Sequence, residues 1–120
     1  MKNILVAITA ILGLFFSFQP ATAQSSKKKI QTEAFFVEGV CQMCEKRIEK
    51  TALESGVISA EWNKESKQLT IIYKPKKVAL QEVKQAIAEA GHDTQDIKAT
   101  AENYAKLPDC CAYRDGVTTH

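Results

Sequence analysis

The stretch IQTEAFFVEGVCQMCEKRIEKTALE, residues 30–54, changes periodicity across a loop that carries two thiols. Over 30–37 the side chains alternate, with Phe35 and Val37 on one face and Thr32, Ala34 and Phe36 on the other, as in a strand. Gly39 ends that run. Over 45–54 the apolar residues Ile48, Ala52 and Leu53 recur at helical spacing, while Glu45, Lys46, Arg47, Glu49 and Lys50 fall largely on the wet side. Gly56 follows as the expected C′ residue of that helix. Cys41 and Cys44 therefore sit where a strand feeds the mouth of a helix.

Alternation resumes over 57–63 (VISAEWN), placing Ile58, Ala60 and Trp62 together, and over 68–73 (QLTIIY), placing Leu69, Ile71 and Tyr73 together. The polar turn at Lys64, Glu65 and Ser66 makes these two runs a β-hairpin. Pro75 stops the hairpin. A second helix is predicted over 79–90, with Leu80, Val83, Ile87 and Ala90 on one stripe and Gly91 at its end. A short fourth strand is expected at 94–98. The order β-α-β-β-α-β is that of the ferredoxin-like split βαβ unit, an α+β class. Right-handed crossovers then predict a four-stranded antiparallel sheet with both helices on one face. In that layout the loop with Cys41, the hairpin turn and the loop with Gly91 and His92 share one end of the sheet.

The ends carry separate signals. Residues 1–23 have Lys2, an apolar run from Ile4 to Phe18, and Ala21-Thr22-Ala23 before Gln24, the pattern of a cleaved export signal. The run is short of the roughly 20 residues that span a bilayer, so no membrane anchor is expected after cleavage. The expected location is periplasmic or secreted. Residues 24–29 read as a polar linker, 30–98 as the folded domain and 99–120 as a tail. In that tail Thr100 can cap a short helix reaching about Leu107, with Pro108 beyond it. Its length is enough to carry Cys110 and Cys111 back toward Cys41 and Cys44. The whole chain has 16 basic and 14 acidic residues, a balance that gives nucleic-acid binding no support. There is no phosphate loop, general-base constellation or paired catalytic carboxylate, so binding rather than turnover is expected.

Four cysteines in an exported chain would ordinarily suggest two structural disulfides. Adjacent Cα atoms lie about 3.8 Å apart, below the roughly 4.4–6.8 Å that disulfides prefer, so Cys110 and Cys111 are poor partners for each other. A Cys41–Cys44 bridge would close too small a loop to add much stability. At a helix mouth, unpaired N–H groups and the helix dipole favour thiolate, which serves both as nucleophile and as metal ligand. Soft thiolates select Cu(I), Zn(II) and heavier congeners. Structural zinc asks for four ligands, whereas an isolated pair suits a low-coordinate ion such as Cu(I) or Hg(II). The rival is a thiol–disulfide redox protein in which Cys110 and Cys111 resolve an oxidised Cys41–Cys44 pair. Metal titration set against disulfide exchange separates the two.

Taken in order, Val37-Glu38-Gly39-Val40-Cys41-Gln42-Met43-Cys44, Arg47-Ile48-Glu49, Gly56-Val57, Tyr73-Lys74-Pro75 and Gly91-His92 resemble the heavy-metal-associated domain family. That family includes copper chaperones, the N-terminal domains of copper-exporting ATPases and periplasmic mercury-binding proteins. The resemblance covers roughly residues 30–98. It implies a metal held between Cys41 and Cys44, Cu(I) foremost with Hg(II) or Zn(II) as alternatives, for trafficking or sequestration. It also implies a metal-transporting ATPase or another metal-binding protein as partner. Two departures stand out. The family's Gly-Met-x-Cys-x-x-Cys is one residue shorter here, at Gly39-Val40-Cys41, and its Gly-Tyr reads Gly91-His92, which makes His92 a candidate third ligand. Cys110 and Cys111 lie beyond the family pattern and are candidate ligands through the predicted return of the tail.

Overall fold

A computed structural model describes residues 29–115; the expected export signal and nearly all of the polar linker lie outside those residues. Three strands, β1 (Gln31–Phe36), β2 (Ser59–Trp62) and β3 (Gln68–Tyr73), form an antiparallel sheet in the order β1-β3-β2. The helices are α1 (Gln42–Glu54), α2 (Leu80–Glu89) and the short α3 (Ala101–Ala105). Single 3-10 turns follow at Asp109–Cys111 and Tyr113–Asp115. Among the described residues no helix is long and apolar enough to cross a membrane.

The alternating pattern produces a one-sided sheet. Phe35, Trp62, Leu69, Ile71 and Tyr73 are all buried and pack with Ile48 and Ala52 of α1 and Val83 and Ile87 of α2. In the hairpin Trp62 stands opposite Leu69 and Ala60 opposite Ile71, so the inward residues of the two strands meet as cross-strand pairs. Two stripe assignments shift: Leu53 is about half exposed and Ala88 is buried. Lys84, nearly buried on α2, holds its Nζ over the Phe35 ring, 5.2 Å from the centroid, and 3.1 Å from Asp96.

The fourth strand expected at 94–98 does not form. The sheet has three strands, and only an isolated bridge joins Val37 to Thr94. Local side-chain bonding competes with the ladder there. Thr94 Oγ1 donates to the Ile97 carbonyl and accepts from the Ile97 N–H, while the Thr94 N–H also reaches that carbonyl at 2.7 Å. Asp93 Oδ1 takes the Ala99 N–H at 2.7 Å. Thr and Asp offering the backbone such partners curl the chain instead of extending it. Thr94, Gln95, Asp96 and Lys98 are polar, leaving Ile97 alone to reward an extended run.

The curl aims the tail back along the domain. Thr100 caps α3 through its side chain, which accepts the Asn103 N–H at 3.1 Å. That helix packs directly on Gly91, whose φ is +107° and where a Cβ would lie 2.9 Å from both the Asn103 carbonyl and Leu107. Gly91→Ala should therefore destabilise the domain by about 1–3 kcal/mol, the usual cost of a strained backbone position, and lift the tail away. Thermal melting checks the first effect. Faster labelling of Cys111 by a thiol reagent checks the second.

Candidate metal centre

Cys41 is the N-cap of α1, in extended conformation with its side chain free of any capping bond. Its carbonyl accepts the Glu45 N–H at 3.1 Å, the first bond of the helix. Cys44 lies one turn in and is fully buried. The loop before them is drawn tight by Gly39: a Cβ there would sit 3.0 Å from both Cys44 Cβ and the Trp62 ring. Trp62 in turn donates its ring N–H to the Val37 carbonyl at 3.0 Å, fixing the end of β1.

The tail does return. Cys41 Sγ lies 3.3 Å from Cys44 Sγ and 3.3 Å from Cys111 Sγ, and the three ligand atoms fall within 4.8 Å of one another. All three cysteines are buried, and all four are free thiols. Cys110 sits at the rim, 3.9 Å from Cys41 and 3.8 Å from Cys111, and its thiol also reaches Met43 Sδ at 3.4 Å. Arg47, one turn along α1, brings Nη1 to 3.3 Å from Cys111 Sγ. A guanidinium there offsets the charge that clustered thiolates accumulate.

The thiols are unequal. Burial works against ionising Cys41, but the Cys44 backbone N–H and the thiols of Cys44, Cys111 and Cys110 bring it down to about 7. Burial holds Cys44 above the ordinary thiol range. Burial and the neighbouring sulfurs push Cys111 up to about 12, with Arg47 opposing. Near neutrality the cluster thus has one partly ionised sulfur cradled by S–H donors. A soft cation entering it would displace those protons.

His92 stands apart from the three-sulfur set. It is fully buried, with Nδ1 2.8 Å from the Glu38 carbonyl. A carbonyl can only accept, so Nδ1 carries the proton, and the imidazole ties α2's end to the start of the cysteine loop. Burial pulls its pKa down to about 4, the Glu38 bond opposing and Arg47 adding to the fall. His92 is therefore neutral at physiological pH. Its Nε2 is buried with no hydrogen-bond partner.

Two residues that the sequence did not flag hold the tail in place. Tyr113 stacks on the His92 ring at 5.8 Å, donates its hydroxyl to the Gly91 carbonyl at 2.8 Å and accepts the Asp93 N–H at 2.9 Å. Arg114 bonds Asp93 Oδ1 at 2.6 Å and the Ala99 carbonyl at 2.8 Å, with its guanidinium over the Tyr104 ring. The available signal was an aromatic and an arginine directly after the Cys110-Cys111 pair. A surface concavity of about 830 Å³ is lined by Glu45, Glu49, Glu61, Trp62 and neighbouring polar residues and by none of the cysteines.

A model of the heavy-metal-associated domain matches residues 34–93, half of the chain, from β1 through His92 and without the tail. Among solved structures the chain is similar to a CopZ metallochaperone, with 35% identity and a TM-score of 0.51, over 53% of this chain and 98% of that one. It is also similar to the Cu(I)-loaded N-terminal domain of a potential copper-translocating P-type ATPase from Bacillus subtilis, with 28% identity and a TM-score of 0.51, over 59% of this chain and 99% of that one. The water-soluble region of the P-type ATPase CopA from Bacillus subtilis shares 25% identity at a TM-score of 0.52, over 58% of this chain and 47% of that region. Comparison with curated proteins gives no match. With the strand–loop–helix thiol pair, the packing of two helices on one sheet face and the matched span all in agreement, the chain belongs to the heavy-metal-associated domain family.

Proposed function

We propose that the protein is an exported carrier of a soft monovalent ion, Cu(I), held by Cys41 and Cys44 and closed over by Cys111 from the tail. The convergence of three buried sulfurs within 4.8 Å carries this reading. At metal–sulfur distances of about 2.3 Å, three thiolates around one ion stand roughly 4 Å apart, so the 3.3 Å contacts of the metal-free cluster need spread by less than about 1 Å. A trigonal all-sulfur site suits Cu(I), whereas structural zinc takes four ligands in a tetrahedron. The Cu(I)-loaded domain and the metallochaperone among the similar structures support the choice of ion. His92 serves as a support: its neutral ring fixes Glu38 and the loop that aims Cys41.

The site is a holding site. Its charge is balanced at one edge by Arg47. The leader at 1–23 supports a periplasmic or secreted location, and the ATPase domains among the similar structures support a metal-transporting ATPase as donor or acceptor. The test is anaerobic metal analysis of the reduced protein with Cu(I), Zn(II) and Hg(II) offered in competition. Cu(I) should be retained against Zn(II) and against a Cu(I) chelator. Tight Zn(II) retention with free loss of Cu(I) would overturn the assignment, as would rapid disulfide exchange with negligible metal uptake.

A further inference from the structure

The four cysteine sulfurs form two triangles that share an edge. Cys41 and Cys111, 3.3 Å apart, are the common edge. Cys44 completes the inner triangle. Cys110, 3.9 Å from Cys41 and 3.8 Å from Cys111, completes an outer one. The outer triangle has a further donor, Met43 Sδ, at 3.4 Å from Cys110 Sγ. Met43 is 49% exposed although it lies between two buried cysteines, and Cys110 is only partly covered. An apolar side chain of that size left in water beside a thiol is poorly explained by packing. It is well placed as a soft ligand.

We infer that Cys110 and Met43 form a second, outer soft-ion position that shares Cys41 and Cys111 with the inner one, so that one chain takes up two Cu(I) ions. The inference rests on the proposed function, since the outer position has meaning only beside a filled inner triangle. A thiolate sulfur keeps lone pairs after binding one soft ion and can bridge to a second. Thiolate and thioether together are the donor set that selects Cu(I) over harder cations. Charge does not oppose the pairing: three thiolates around the first ion leave two negative charges, and ionising Cys110 as a second monovalent ion enters keeps that total at two, with Arg47 against Cys111. The two positions differ in access. The inner ion is enclosed by buried residues, whereas the outer ion faces solvent through Met43 and is the one a partner's thiolates would meet first. Met43 has its place because it lies inside the Cys41–Cys44 motif, on the first turn of α1.

Native mass spectrometry of the reduced protein, titrated anaerobically with Cu(I) alongside a competing chelator, tests this. The expected result is two ions on a monomer, bound in order, the second released to chelator first. A Cys110→Ser, Met43→Leu protein should still hold the first ion against the chelator and lose the second. A wild-type monomer that stops at one ion, a two-ion state found only in dimers, or two ions persisting in the double variant would each overturn the outer site while leaving the inner one intact. Failure of the wild-type protein to hold even a first ion would overturn the proposed function itself.

Discussion

A Cys41→Ser, Cys44→Ser protein should keep its fold and lose tight Cu(I) binding altogether. Serine is nearly isosteric with cysteine, but it offers a hard, protonated oxygen where the ion needs a soft anionic donor. Cys41 and Cys44 share the core with Ile48, Leu69, Ile71 and Ile87, and serine nearly preserves their volume there. Two buried hydroxyls lacking good partners would cost about 1–3 kcal/mol each, enough to lower the melting temperature without abolishing folding. Cys110 and Cys111 remain, 3.8 Å apart, but without the shared Cys41 sulfur neither triangle of donors can close around an ion. The loss should exceed the roughly 10–100-fold that follows removal of a residue that merely supports a ligand. Chelator competition on the variant, with circular dichroism to confirm the fold, is the measurement. Wild-type affinity in this variant would refute ligation by the helix-mouth pair.

Most of the fold was legible because each element carried both a period and a terminator. The switch from period two to helical spacing across residues 30–54 placed β1 and α1, and the two glycines predicted as C′ residues have φ of +113° and +107°. The fourth strand was misjudged for a specific reason. Its expectation rested on a short run, residues 94–98, in which Ile97 is the one strongly apolar residue. Thr94 and Asp93 instead spend their oxygens on nearby N–H groups, and the segment has too little apolar surface to overrule them.

For the site, the sequence located Cys41 and Cys44 through their spacing and their place on the helix, both local properties. The approach of Cys110 and Cys111 could be reached only as a question of length. A seven-residue helix and a short extension were long enough to climb back, but length does not say that they must. What decides it is long-range: Gly91 leaving room for Asn103 and Leu107, and Tyr113 and Arg114 bonding to Gly91, Asp93 and Ala99. His92 was legible as a neighbour of the loop but not in its bonding. Its burial and its bond to Glu38 follow from how tightly the tail covers it, and Tyr113 supplies that cover.

The protein should lose about 2 kcal/mol of stability between pH 7 and pH 4.5 through His92 alone. In the unfolded chain this imidazole takes a proton near its ordinary value of 6.5, whereas burial holds the folded-state value at about 4, the Glu38 bond opposing and Arg47 reinforcing the fall. Between those values the unfolded state binds the extra proton, so stability is full above about pH 7, declines as pH falls through 6.5, and levels off below 4. The difference of roughly 2.5 pKa units, at about 1.4 kcal/mol each, sets a full limit of about 3 kcal/mol, of which about 2 kcal/mol falls between pH 7 and pH 4.5. The contribution is distinct from that of the carboxylates, which in unfolded chains titrate near 4 and below. Urea denaturation of the metal-free protein at pH 7, 5.5 and 4.5 should show the decline. A His92→Phe protein keeps a ring against Tyr113 and has nothing to protonate, so its stability, though lower at pH 7 for want of the Glu38 bond, should be nearly flat over the same range. Parallel curves for the two proteins would mean that His92 is already accessible to protons in the folded state. The same physics bears on the metal centre. An imidazole that stays neutral down to about pH 4 brings no positive charge toward an entering cation, and leaves Arg47 as the cation at the cluster's edge.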